Sequence, residues 1–336
     1  MTMRVFKISA IMLLLLTVTP LTCSCAEPVR IGYFANITHA QALVGKANGI
    51  FAQKAGQKIE WKVFNAGPTA MEALLAGALD MAYVGPNPAM NAYVRSGGRA
   101  LRIVAGAASG GAALVVQKHG SIRSANDLKG KRVATPEFGN TQDIALRYWL
   151  KEQGLRPGKD LQVMPVKNAE ILDLFMQKKI SAAWVPEPWV SRLVHEADGS
   201  IFLDERFLWQ GGRFPTAVLV VRGEYLAKHR DVVRRILDAH VETTEWINAQ
   251  PAMARKLVNT ELARITRKPM DGVVLNDAFS RLLITYDPAS TALLTSAARA
   301  KDLGFLPKSF KSPLENILDL TILNQVLALR KLKAVN

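Results

Sequence analysis

Thr135–Asp143 reads TPEFGNTQD and lies between a strand pattern, Lys131–Ala134, and a helix pattern, Ile144–Gln153. Gly139 permits a sharp backbone turn. Asn140 or Thr141 can cap the helix with a side-chain oxygen. The unpaired N–H groups of the first turn and the positive end of the helix dipole then favour an anion. Taken alone, such a turn is equally an ordinary capped αβ loop. The chain repeats it, however. Asn65-Ala66-Gly67-Pro68-Thr69 and Gly85-Pro86-Asn87-Pro88 each follow a strand pattern and open a helix, with proline suited to the first turn. Ser109-Gly110-Gly111 adds a glycine-rich turn that a ligand could approach closely. In open parallel sheets ligands sit at the carboxyl ends of the strands. The set therefore predicts one cleft holding an anion through N–H groups and hydroxyls, without a full countercharge.

Other reactive groups are sparse. Ala183–Trp189 reads AWVPEPW, and its Trp184 and Trp189 are read either as an apolar wall for a ligand or as lobe packing. Glu187, between two prolines, either accepts from a ligand amine or braces hinge backbone. A carboxylate facing a bound anion is unfavourable, so a rim or bracing role is expected. None of the five histidines stands at metal-ligand spacing. His39 alone falls beside the predicted cleft, at the start of the first helix. There is no GxSxG and no phosphate-binding P-loop. Asp204-Glu205 pairs two carboxylates that nothing places in a cleft. The expectation is a binding protein, not an enzyme, without metal or cofactor.

The elements that must carry these turns alternate. Strands are expected over Val29–Phe34, Ile59–Asn65, Leu79–Gly85 and Leu101–Ala107, each followed by a helix or glycine turn, which argues for a mostly parallel sheet. Ala112–Lys118 and Thr216–Arg222 resemble each other as β-rich segments and are expected to pair as two hinge crossings. A second αβ series lies between them. Beyond Arg222 the pattern is helical, with Asp231–Ala249 the clearest case and Leu314–Leu332 expected as the last helix. The fold class expected is α/β, with lobe I from 27–113 and 217–336 and lobe II from 114–216.

The first 26 residues have a basic start at Arg4 and Lys7, an apolar run over Ile8–Val18 and a small-residue exit, Ser24-Cys25-Ala26. They read as a secretory signal peptide cleaved after Ala26, the alternative being a lipid anchor at Cys25. The chain's two cysteines both lie there, so a chain from Glu27 onward has neither disulfide nor thiolate chemistry. Removing Arg4 and Lys7 lowers the formal charge of +15 to +13. Lysines and arginines are scattered, without a dense run interleaved with aromatics. No nucleic-acid partner is therefore expected, and the charge is read as steering small anions.

Five segments in order resemble the solute-binding proteins of bacterial ABC importers for nitrate, sulfonate and taurine. They are GYFANITHAQALVG (Gly32–Gly45), FNAGPTAMEALLAGALDMAYVGPNPA (Phe64–Ala89), GAASGGAALVV (Gly106–Val116), ATPEFGNTQDIALR (Ala134–Arg147) and AWVPEPWVSRLV (Ala183–Val194). GPNP, SGG, GNTQD and WVPEPW together are most similar to the aliphatic-sulfonate branch. The resemblance implies a type II periplasmic binding protein fold, two αβ lobes hinged over a ligand cleft. It also implies a monomer in the periplasm that delivers its ligand to a membrane permease and ATPase. Carried over by position, it implies ligand contacts at Asn36, His39, Thr69, Pro86, Asn87, Ser109, Gly110, Asn140, Thr141 and Gln142, with Trp184 and Glu187 on the opposing lobe. An organic sulfonate walled by Trp184 or Trp189 is the first expectation; nitrate, bicarbonate or taurine is the alternative. Pyrimidine-forming synthases for thiamine precursors share this architecture but carry a cysteine-rich motif, absent after Ala26. An extracytoplasmic sensor would carry a further span or signalling domain.

Overall fold

The computed structural model describes residues 27–336, so the expected signal peptide and the Cys25 alternative lie outside the described residues. Two sheets organise the chain. The six-stranded sheet has the order β11-β4-β10-β3-β1-β2 and the five-stranded sheet β7-β6-β8-β5-β9. The first is built from β1 (Val29–Phe34), β2 (Ile59–Phe64), β3 (Met81–Val84), β4 (Leu101–Gly110), β10 (Pro215–Arg222) and β11 (Leu282–Ile284). The second is built from β5 (Ala112–Gln117), β6 (Arg132–Pro136), β7 (Gln162–Val166), β8 (Ala182–Pro186) and β9 (Gly199–Asp204).

The inner strands β1, β3 and β10 of the first sheet are near-continuous buried runs because helices cover both faces, while the edge strand β2 is half-buried. On one side lie α1 (Ala40–Asn48), α2 (Ile50–Ala55), α9 (Arg230–Ala249) and α10 (Pro251–Thr266); on the other lie α3 (Gly67–Leu75), α4 (Pro86–Arg95) and α12 (Ser290–Asp302). In the second sheet α5 (Thr141–Glu152) covers one face, and α6 (Asn168–Met176) and α7 (Trp189–Glu196) cover the other. The remaining helices are α8 (Gly223–Lys228), α11 (Gly272–Ser280) and α13 (Thr321–Leu329). No helix among the described residues is long and apolar enough to cross a membrane.

Three expectations change here. The segments Ala112–Lys118 and Thr216–Arg222 do not pair with each other. β5 pairs antiparallel with β8 and β9, and β10 antiparallel with β3 and β4. Each crossing strand therefore enters a sheet of its own, and both sheets are mixed rather than mostly parallel. The last helix is interrupted: a short turn of 3-10 helix covers Leu314–Ile317, and α13 begins only at Thr321. Finally, Ser109 and Gly110 are the end of β4, not a free turn.

Two buried acids, Glu187 and Glu205, give the fold a pH dependence, and Glu205 is the one without a cationic hydrogen-bond partner. Glu205 is fully enclosed and accepts from the indole N–H groups of Trp184 (2.8 Å) and Trp209 (3.3 Å). Burial pushes it up to about 7 from the ordinary 4.5. A raised folded value means that the stability contributed by neutral Glu205 is complete below the unfolded value and is lost as pH rises through about 7. Melting temperature should therefore fall between pH 5 and 8.5, and Glu205→Gln should flatten that decline. An unchanged slope in the variant would contradict the assignment.

Candidate functional site

The parallel strands of both sheets end at a small enclosed cavity between the lobes. The first lobe and its crossing strand contribute Phe34, Asn36, Thr38, His39, Asn65, Ala66, Gly85 and Thr216, and the second lobe contributes Asn140, Gln142, Asn168 and Pro186. Its volume is about 20 Å³, roughly the space one water needs. No residue in this lining is charged.

Helix starts surround it. Asn36 precedes a 3-10 turn at Ile37–His39; Ala66, Gly85 and Asn140 are the N-caps of α3, α4 and α5; Asn168 is the first residue of α6. The earliest intrahelical bonds of these helices are Ala70 N–H to Ala66 O, Ala89 N–H to Gly85 O, Ile144 N–H to Asn140 O and Ile171 N–H to Lys167 O. The first-turn N–H groups before them have no intrahelical acceptor, as at any helix start. Several partial positive charges thus meet at one point.

His39 adds a neutral donor. Its Nδ1 accepts the backbone N–H of Phe34 at 3.0 Å, so the proton of the neutral ring sits on Nε2. The ring stacks on Phe34 at 4.4 Å. Burial lowers its pKa to about 3 from 6.5. A depressed value keeps the imidazole neutral throughout pH 5–8. Anion affinity should therefore be flat across that range, by isothermal titration. A rise toward pH 5 in the native protein that vanishes in His39→Gln would show instead that the ring protonates on binding.

The loop before α5 is fixed by a carboxylate that is kept from the cavity. Asp143 is buried, accepts from Thr135 Oγ1 and Gly139 N–H, and pairs with Arg147 Nε at 2.9 Å. Asn140 Oδ1 accepts Thr141 N–H at 2.7 Å, which leaves its amide N–H₂ group as a donor.

Asn36, His39, Asn140 and Gln142 line the cavity as expected from the sequence; the other expected positions do not. Trp184 is a core residue. It is fully buried, packs on Trp149 at 6.0 Å and bonds to Glu205, so it forms no ligand wall. Trp189 donates its indole N–H to Asn36 Oδ1 at 3.0 Å, so it joins the lobes rather than walling a ligand. Glu187 is at no rim. It is buried and accepts from Ser191 N–H and Oγ and from Arg281 Nη1, which braces the hinge region. Ser109 Oγ accepts Phe214 N–H, and Gly110 exchanges bonds with Phe214 and Thr216, so both are spent on holding β4 to β10. Thr69 is exposed and turns back on Ala66 O. Pro86 begins α4, and Asn87 Oδ1 accepts Ser296 Oγ within the first lobe. Thr141 lies beside the cavity with a buried, unpartnered Oγ1 that faces Gly85; a Cβ at Gly85 would stand 2.3 Å from it.

The missed lining residues carry a common signal. Asn65-Ala66 and Gly85 stood in the very turns read as helix starts, but the residues singled out there were the first helical ones. At α3 and α4 the caps Ala66 and Gly85 face the cavity, while Thr69, Pro86 and Asn87 of the first turn lie away from it. Asn168 follows strand β7 in the same manner. Thr216 is invisible to a local reading because it depends on where β10 pairs.

A polar cavity enclosed by two hinged αβ lobes, with helix starts aimed at it, defines the class of two-lobed solute-binding proteins. Residues 25–262 match the NMT1-like family, and the chain belongs to it. The taurine-binding periplasmic protein of Escherichia coli (strain K12) is 26% identical over 291 residues, covering 84% of this chain and 89% of that relative. Among solved structures, the alkanesulfonate-binding protein SsuA from Xanthomonas axonopodis pv. citri bound to MOPS superposes with a TM-score of 0.70 at 20% identity, covering 84% of this chain and 94% of that one. The periplasmic nitrate-binding protein NrtA from Synechocystis PCC 6803 superposes with a TM-score of 0.75 at 17% identity, covering 90% and 88%. At such identities the structural likeness is one of fold.

Proposed function

We propose that this chain is the extracytoplasmic substrate-binding protein of an ABC importer. It captures a small organic anion by closure of two lobes, 27–113 with 217–336 on one side and 114–216 on the other, and passes it as a monomer to a membrane permease and its ATPase. One observation carries the reading: a charge-free polar cavity enclosed at the meeting point of five helix starts. Neutral donors suit a monoanion, because a dianion needs more countercharge than dipoles supply. An aliphatic sulfonate remains the first candidate, now with a short tail. With Trp184 in the core no apolar wall for a long tail stands at the cavity, so nitrate, bicarbonate and taurine form the second reading.

A thermal-shift panel of residues 27–336 tests this. It would hold alkanesulfonates of increasing length, taurine, nitrate, bicarbonate, sulfate, a phosphonate and a thiamine-type pyrimidine. A ligand at about 100 times its Kd stabilises the folded state by about 2.7 kcal/mol. The expected shift is largest for the compact monoanions and shrinks with chain length. A shift with the neutral pyrimidine alone would overturn the anion reading.

A further inference from the structure

The second lobe has a pole opposite the cavity, and that pole is strongly basic. In the order of the sheet, β7 presents Lys159 before it, β6 is entered through Lys129, Lys131 and Arg132, β8 through Lys178 and Lys179, and β5 leaves through Lys118. Backbone bonds hold these ends level: Gln162 N–H to Lys131 O, Ser181 N–H to Arg132 O, Gln117 N–H to Ser181 O, and Lys118 N–H to Asp198 O. Neighbouring strands are about 4.8 Å apart, so the cations form a band across roughly 14 Å of sheet. All but the half-buried Lys131 are exposed, and none of the seven has an ion pair among the described residues. Of the acids at this end, Asp127 accepts from the Arg123 and Ser124 N–H groups and Asp160 pairs with Arg156, while Asp198 (3.6 Å from His119), Glu152 at the end of α5 and Asp173 in the last turn of α6 are exposed, so the cations outnumber the acids without being free of them. Lys178 and Lys179 also sit at the end of α6, where cations complement the dipole. That placement does not account for Lys118, Lys129, Lys131, Arg132 and Lys159. Within the band, the last residue of α6, Met176, is an exposed apolar side chain.

We propose that this pole docks on an anionic phospholipid surface. Clustered lysines and arginines are drawn to anionic headgroups as point charges. An apolar side chain among them suits the boundary between headgroups and acyl chains, whereas a nucleic acid offers Met176 nothing comparable. The cavity lies at the other end of the β6 and β8 strands, so a protein resting on this pole keeps the cavity away from the lipid. The surface holds the protein near the membrane in an orientation separate from ligand capture. The location assumed is that of the importer reading, but the contact itself is independent of which ligand the cavity takes.

The test is co-sedimentation of residues 27–336 with vesicles of phosphatidylglycerol and phosphatidylcholine, against phosphatidylcholine alone, at 50 and 300 mM NaCl. The expected result is binding to the anionic vesicles only, reduced at high salt. Replacing Lys131, Lys159, Lys178 and Lys179 by glutamate should weaken it by at least about tenfold. Met176→Ser should weaken it at unchanged charge. A control replacing the exposed first-lobe lysines Lys256, Lys268, Lys308 and Lys311 by glutamate changes net charge equally and should retain most of the binding. Equal loss in both variants would reduce the effect to net charge and overturn the proposal. So would binding to duplex DNA as tight as to vesicles, or no binding to anionic vesicles. Thermal unfolding and the anion shift of the pole variant should match the native protein. Because these are read separately, failure of the pole and failure of the importer reading remain distinguishable.

Discussion

Gly85→Ala is expected to weaken ligand binding by about tenfold to a hundredfold while leaving unfolding of the free protein nearly unchanged. Gly85 has an ordinary backbone conformation, φ −67°, so alanine introduces no strain in its own lobe. The obstacle lies across the cleft: an added Cβ would stand 2.3 Å from Thr141 Oγ1 and 3.3 Å from Thr141 Cβ. Overpacking of this kind costs about 1–3 kcal/mol, and here the cost falls on the closed state. Parting the lobes relieves it, so affinity suffers rather than stability. The second substitution Thr141→Ala removes the nearer atom, and the double variant should recover much of the loss. Isothermal titration of the four proteins forms a double-mutant cycle. Strictly additive effects would show that the two residues do not meet when the ligand is bound.

Glu187→Ala is expected to have the largest effect on stability, about 3 kcal/mol at pH 8. Glu187 accepts from Ser191 N–H and Oγ and pairs with Arg281 Nη1 at 3.1 Å, with the Arg281 side chain only 14% exposed. Removing one partner of a buried pair typically costs about 3–5 kcal/mol. The low end applies because Asp277 still holds Arg281 Nη2 at 2.9 Å. For a chain of this size that corresponds to a melting temperature lower by roughly 6 °C. The pH matters. Burial raises Glu187 to about 7 although Ser191 and Arg281 pull it down; what this side chain contributes is therefore fully present below its unfolded value and falls as pH rises through about 7, so pH 8 reads the smallest cost and a lower pH a larger one. Glu187→Gln keeps the acceptor for Ser191 and should cost less. A melting temperature within 1–2 °C of the native value for Glu187→Ala (less than about 1 kcal/mol) would show that the brace contributes little.

The alternation of strands and helices and the capped turns were legible because both are local. Glycine, proline and asparagine at strand ends report backbone geometry without reference to the rest of the chain. The cavity was legible to the same extent, through Asn36, His39, Asn140 and Gln142. What failed depended on long-range pairing. Trp184 alternates with Ala183 and Val185 along β8, and nothing local says which face α5 will cover; Trp149 of α5 covers the Trp184 face. Ser109 and Gly110 read as a free turn because their partners, Phe214 and Thr216, are about a hundred residues away. Glu187 was legible as a brace, but Arg281 was not legible as its partner. The family resemblance supplied the right fold and an approximate site. Of the positions it implied, Asn36, His39, Asn140 and Gln142 line the cavity, whereas at α3 and α4 the lining comes from Ala66 and Gly85 in place of Thr69, Pro86 and Asn87.

The central claim is that a monoanion is held by neutral donors at converging helix starts. The most direct measurement is a crystal structure with the anion that gives the largest thermal shift. The expected result is the anion between the lobes, within hydrogen-bond distance of His39 Nε2, the Asn36 or Asn140 side chain and first-turn N–H groups of α5 or α6, with no lysine or arginine touching it. An anion held by a guanidinium or ammonium, or one bound outside the space between Asn36 and Asn168, would contradict the account.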